Sequence, residues 1–235
     1  MRRFVFILSI IAMVACNLDF LHYMPNCSRD DYGYNNCLMQ YFNAMRQYTK
    51  NGVKEIELPS INPLVLKKVN INHTSQDATV TATLHNLTFY NLYDFEVVNV
   101  QSAEGKLTVK ALLDSLPFET YYKMSGTLFN NGLVGEGRAI AIFKEVEAII
   151  MYTTRNINDI EFCNDFNVDL QMNGKELYLI ATGLSESGVS NAFFASHSKE
   201  IAPVGSILYG KIIEAFLQKY SKILCNNYKP SFRFF

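Results

Sequence analysis

Between Leu66 and about Leu179, polar and apolar residues alternate over long runs. The runs KKVNINHTSQDATVTATLHNLTFYNLY, DFEVVNVQSAEGKLTVKALLD, PFETYYKMSGTLFNNGLVGEGRAIAIFKEVEAIIMYTT and NVDLQMNGKELYLIAT all share this period of two, the pattern of half-buried strands. Turn residues punctuate them at Glu104-Gly105, Asn130-Asn131-Gly132 and Asn173-Gly174. Such short connections imply antiparallel pairing, with one apolar and one wet face. Before this region, Asn35 to Lys50 carries Leu38, Met39, Phe42, Met45 and Tyr48 at helical spacing, and Asn51-Gly52 stops it. Pro59 and Pro63 then force an extended connection. After the strands, GLSESGVSNAFFASHSKE reads mostly as loop. Ile201 to Cys225 is a single long helix with a wide apolar stripe through Val204, Leu208, Ile212, Phe216, Tyr220 and Leu224.

The fold class that follows is α+β. A sheet of over a hundred residues presents one large apolar face, and a helix of about 25 residues spans roughly 37 Å. If the sheet curls around the helix, each buries the other. Imperfect filling leaves an elongated apolar hollow suited to a hydrophobic guest. The same periodicity also fits a solid core, in which case the work is done on the surface by a signalling or interaction module with no ligand. No composition shift, flexible linker or solenoid repeat divides the chain, so residues 17–235 are expected to form one domain.

Residues 1–16, MRRFVFILSIIAMVAC, combine Arg2 and Arg3 with an apolar stretch and small residues at its end. This is the layout of a secretory signal peptide, too short for a stable membrane span. Its removal shifts the net charge from −1 to −3. With no basic block to neutralise phosphates, nucleic acid is not an expected partner. Later in the chain no apolar run reaches membrane-spanning length.

Four cysteines remain after residue 16, namely Cys27, Cys37, Cys163 and Cys225. An even number in an oxidising compartment points to two disulfides, with three possible connectivities. A local Cys27–Cys37 bridge would tie down the terminus and leave Cys163 for Cys225. Three glycosylation sequons begin at Asn26, Asn72 and Asn86. Asn26 adjoins a cysteine, so Asn72 and Asn86 are the better acceptors.

Catalytic patterns are missing. Gly183-Leu184-Ser185 lacks the second glycine of a nucleophile elbow, and Gly135-Glu136-Gly137 has Ile140 where a dinucleotide motif needs glycine. His22, His73, His85 and His197 are scattered, and no Cys/His cluster suits zinc. Neither a cofactor nor a metal is expected, and no catalytic residue is assigned.

The order of these features resembles the insect juvenile-hormone-binding and takeout proteins. A cysteine pair precedes a short helix ending at Gly52, then IELPSINPLVL follows. Tyr122 to Gly126 and Gly135-Glu136-Gly137 are similar to that family's Tyr-x-x-x-Gly and Gly-x-Gly strands. EFCNDFNVDLQMNGKELYL, with Cys163 before a strand, and Cys225 in the last helix look more like the haemolymph hormone-binding branch. The takeout segment that usually contains Trp is replaced by SNAFFASHSKEIAP. The resemblance covers roughly residues 25–225. It implies a tubular lipid-binding fold, with a strongly curved antiparallel sheet around the C-terminal helix and disulfides Cys27–Cys37 and Cys163–Cys225. It further implies a secreted, non-enzymatic carrier in haemolymph, taken here as a monomer, with a terpenoid or fatty ligand inside. Tyr121, Tyr122, Tyr152 and Tyr178 on strands are candidate hydroxyl donors, and Leu208, Ile212 and Phe216 are candidate apolar wall. Entry would need a gate, either at Ile201 to Tyr209 or around Pro59 and Pro63.

Overall fold

A computed structural model describes residues 27, 32–54, 57–154, 165–186 and 188–227, with backbone alone for 225–227. The expected signal peptide, Asn26, Cys163 and the Cys225 side chain lie outside the described residues, and the expected Cys163–Cys225 bridge lies there with them.

The elements in chain order are α1 (Tyr34–Asn51), β1 (Leu64–Thr74), β2 (Ala78–Phe89), β3 (Glu96–Ala103), β4 (Lys106–Leu128), β5 (Asn131–Thr154), β6 (Phe166–Ala181), α2 (Asn191–Ser196) and α3 (Ser198–Asn227). The strands form one antiparallel, open sheet in the order β1-β2-β4-β5-β6, with β3 paired to the first half of β4. Its concave face holds α3.

Helix α1 ends as its sequence dictates. Gly52 adopts φ +72°, and a Cβ there would lie 2.6 Å from the Leu58 carbonyl oxygen, so only glycine lets the proline segment fold back this closely. That segment then satisfies the helix's last carbonyls: Ile61 N–H donates to Thr49 O, and Ser60 Oγ donates to Lys50 O at 2.6 Å. At the other end a Cys27–Cys37 disulfide ties the preceding chain to the first turns of α1.

Two readings of the pattern are corrected. Asn173-Gly174 is no turn: both lie inside β6, paired with Glu147 and Val146. Gly174 is there because the Phe143 ring lies 2.6 Å from where its Cβ would stand. Residues 190–200 of the expected loop are also more ordered than a loop. Ser190 caps α2 by accepting from Phe193 N–H, and α3 starts at Ser198, ahead of Ile201.

The alternation is not strict either, and its breaks bend the sheet. In β4 the buried positions run Leu107, Val109, Ala111, Leu113, then change phase to Leu116, Phe118, Thr120 and Tyr122. In β5 the change falls at Lys144-Glu145, where Glu145 has φ +47°. In β2 it falls at His85-Asn86, with Asn86 at φ +50° and a register shift against β4. Such irregularities kink a strand and increase its twist. Each long strand can thus turn a corner while keeping its apolar side inward.

The kinks divide the concave side into two halves. One is closed by β1, β2, the second half of β4, the start of β5, α2 and the start of α3. Phe89, Phe118 and Phe143 are fully buried there around Tyr209, with ring centroids 4.3–6.2 Å apart. The other is bounded by β3, the first half of β4, the end of β5, the start of β6, α1 and the end of α3.

Sheet edges in this second half are covered by side chains, not by strands. Asn43 of α1 accepts from Val97 N–H at 2.9 Å and donates to Val97 O at 3.0 Å, and Arg46 donates to Phe95 O. Asn35 accepts from Ser102 N–H on the same strand. On β6, Gln218 of α3 bonds both Val168 N–H and Phe166 O, while Glu214 accepts from Leu170 N–H. Helix side chains complete the ladders where backbone partners run out.

Candidate functional site

The second half of the concave face is hollow. Its cavity measures about 170 Å³ as the space open to the centre of a water-sized sphere. One water takes roughly 10–15 Å³ on that scale against about 30 Å³ in the liquid. The hollow therefore has room for on the order of ten waters, or roughly 300 Å³ of guest, the lower end of ligand-pocket sizes.

Its walls follow from the sequence of each element. The sheet contributes Val97, Val109, Ala111, Val146, Ala148 and Ile150, all small or aliphatic. Tyr41, Phe42 and Met45 close one side from α1, Ile61 comes from the proline segment, and Phe216, Leu217 and Leu224 close the other side from α3. Among the described residues no charged side chain lines it.

Polar atoms are few and gather near the end of α3. Ser221 Oγ donates to Tyr152 Oη at 3.4 Å, a long bond. Tyr220 is 6% exposed, and its hydroxyl is sealed from solvent with no hydrogen-bond partner among the described residues. Burial raises the Tyr220 phenol above its ordinary value. For Tyr152 burial does the same, partly opposed by the Ser221 bond. Both phenols therefore stay protonated, able to donate, throughout the neutral range. Thr49, also on the wall, spends its hydroxyl on the Arg46 carbonyl.

This is a greasy chamber with a hydroxyl cluster at one end, suited to holding an apolar molecule that carries one or two acceptors. Over residues 6–232 the chain matches the family model described as haemolymph juvenile hormone binding protein (JHBP). It belongs to that family. No match is found among curated proteins. Among solved structures, Takeout 1 of Epiphyas postvittana is similar in fold, with a TM-score of 0.61 at 13% identity. The match covers 87% of this chain and 93% of that one. The curved antiparallel sheet with its C-terminal helix is thus the JHBP and takeout fold, an open sheet and not a closed barrel.

The motifs on which the resemblance rests have structural roles here. Tyr122 is buried in the filled half and donates to Thr182 O at 2.8 Å. Gly135 and Gly137 let residues 182–184 lie against β5: a Cβ on Gly137 would sit 2.2 Å from Thr182 O. At Gly126, φ is +146° and a Cβ would strike Thr79 O.

The candidate ligand residues scatter. Tyr152 and Phe216 line the chamber, whereas Tyr122 does not. Tyr121 and Tyr178 are 57% and 42% exposed on the convex side, Tyr178 donating to Glu176. Leu208 and Ile212 face a separate groove between α3 and β1. Ile201 to Ser206 sits in the filled half, almost wholly buried, so of the two expected gates only the proline segment borders the chamber. Tyr220 and Ser221 also line the chamber and were missed as candidates: Tyr220 was read as part of the apolar helix stripe, and Ser221 was not singled out. Two adjacent hydroxyl residues in the last turns of an apolar-faced helix are the signal that could have marked them. Asn72 and Asn86 are both exposed. Among the described residues no three His, Cys, Asp or Glu converge on a metal-sized site, and no helix is long and apolar enough to cross a membrane.

Proposed function

We propose that this protein is a secreted, non-enzymatic carrier that holds a small hydrophobic ligand, juvenile hormone or a related terpenoid or fatty molecule, in the chamber between α1, the sheet and the end of α3. The reading extends to a single domain over residues 17–235 that works as a monomer in haemolymph, with Asn72 and Asn86 as glycan acceptors. The observation that carries it is a wall that is uncharged among the described residues and largely apolar, lined also by Tyr152, Ser221 and Tyr220. Family membership supports the same ligand class, since the family is described by haemolymph and hormone binding.

The energetics suffice. A guest burying about 400 Å² of apolar surface gains on the order of 10 kcal/mol, of which association takes back several. The remaining roughly 6–8 kcal/mol corresponds to a Kd between about one and tens of micromolar. Among the wall residues, Tyr220 is assigned as the donor to an ester or epoxide oxygen, since its hydroxyl has no partner among the described residues.

Titration of the purified chain with a terpenoid ester and with its parent hydrocarbon tests the reading. Both should bind, and Tyr220→Phe should weaken the ester about tenfold while leaving the hydrocarbon unchanged. Failure of the wild type to take up either compound at tens of micromolar would refute the carrier and favour a surface-interaction module.

A further inference from the structure

Helix α3 leans on β6 and stands away from β1, so the sheet does not close around it. The gap is an open groove of about 800 Å³ between the outer edge of β1 and residues 207–219 of the helix. Leu66, Val69, Ile71, Leu208, Ile212 and Phe216 are only half buried along it. From Val65 to His73 the strand runs about 26 Å, long enough for an extended acyl chain.

The rim is charged in one sense. Lys67 and Lys68 from β1 and Lys211 and Lys219 from α3 line the groove, and among the described residues no Asp or Glu does. This is notable in a chain with slightly more acidic than basic residues. Lys211 pairs with Glu214; Lys67, Lys68 and Lys219 have no carboxylate partner among the described residues. At one end His73 adds a shielded Nε2 with no hydrogen-bond partner there. Negative charge is what this rim lacks among the described residues. Phe216 forms part of both this groove and the chamber wall.

We infer that the β1–α3 groove is a second binding site, for a single-chain anionic amphiphile whose head sits among Lys67, Lys68 and Lys219 and whose chain lies on the apolar floor. The uncharged chamber and the lysine-rimmed groove then sort guests by head group. This site stands on its own residues and does not need the chamber to be occupied.

The test compares palmitate with hexadecanol, the same chain without the charge, both radiolabelled and below their aggregation limits. The full chain is used in three forms: wild type, Ala111→Phe to fill the chamber, and Lys67→Gln/Lys68→Gln/Lys219→Gln. In the Ala111→Phe form palmitate should still bind, at least tenfold tighter than hexadecanol. The triple variant, whose exposed substitutions leave the core untouched, should lose palmitate affinity at least tenfold and keep that for hexadecanol. Equal binding of the two ligands to the Ala111→Phe form, or unchanged palmitate binding by the triple variant, overturns the proposal. Loss in the triple variant of binding to phosphatidylglycerol vesicles, with palmitate binding intact, would also overturn it and make the lysines a membrane contact. Uptake of neutral ligand by the wild type reads the chamber separately, so failure of one site is distinguishable from failure of the other.

Discussion

At the Phe143 end of the sheet, three phenylalanines and Tyr209 meet so closely that Gly174 and Gly205 have no room for a Cβ. At the Ala111 end, the same strands present Val109, Ala111, Val146 and Ala148, and a chamber remains. Both stretches belong to one continuous β4–β5 ladder with an unbroken register. The difference lies in side-chain volume, not in backbone pairing. A shell of strands can be solid or hollow according to which residues face inward, and here one molecule is both. The filled half anchors α3; the hollow half leaves space that only a guest, or larger side chains, could fill.

Truncation in the two halves should therefore cost different amounts. Phe143→Ala removes a fully buried ring packed against Phe118 and Tyr209 and should destabilise by about 3–5 kcal/mol. Val109→Ala borders existing space and should cost about 1 kcal/mol. Urea denaturation of the two variants checks the ratio; equal losses would erase the distinction.

A smaller effect is expected where α1 is fastened over the chamber. Asn43→Ala leaves Val97 N–H and C=O without their partner, for a loss of about 1–3 kcal/mol. Amide exchange should speed up in Glu96–Ala103 and in α1 while the Phe143 end stays protected. Uniform loss of protection would mean the halves are one cooperative unit.

Smaller still is the contribution of the convex surface. Glu119 accepts hydrogen bonds from Tyr90 and Arg138, and these bonds hold its carboxyl below the usual value. Its stabilisation is present above the unfolded value of about 4.3 and fades as pH falls through the lowered folded value. With the pair partly exposed, Glu119→Gln should cost under about 1 kcal/mol at pH 7, and less as pH falls through the lowered folded value. The buried tyrosines work in the opposite direction. Tyr152, Tyr209 and Tyr220 are all raised by burial. Their contribution is complete below about pH 10 and is lost as pH climbs towards the raised folded values. Stability against pH should accordingly fall at both extremes, more steeply on the alkaline side.

Much of the fold was legible because it rests on local signals. Asn51-Gly52 stopped α1 where it ends, and Glu104-Gly105 and Asn130-Asn131-Gly132 marked real strand junctions. Asn173-Gly174 carried the same local signal yet lies within β6, because Gly174 answers to the Phe143 ring across the sheet. The phase changes at Asp114-Ser115 and Lys144-Glu145 were visible as neighbouring polar residues, but only pairing shows that they line up and turn a corner together. The chamber was hardest to read. Period-two patterning tells which residues face inward, not whether they meet, so Tyr121 and Tyr178 stood equal to Tyr152 until the face of each was known. Tyr220 was counted as apolar stripe, since helical spacing does not reveal a hydroxyl left without a partner.

One measurement bears most directly on the claim that the Ala111 end is hollow to receive a guest: the effect of Ala111→Phe on uptake of a neutral hydrophobic ligand, read beside its melting temperature. The account predicts that uptake is abolished while the melting temperature stays at or above that of the wild type. Undiminished uptake, or a collapse in stability of the kind expected for overpacking a solid core, would contradict it.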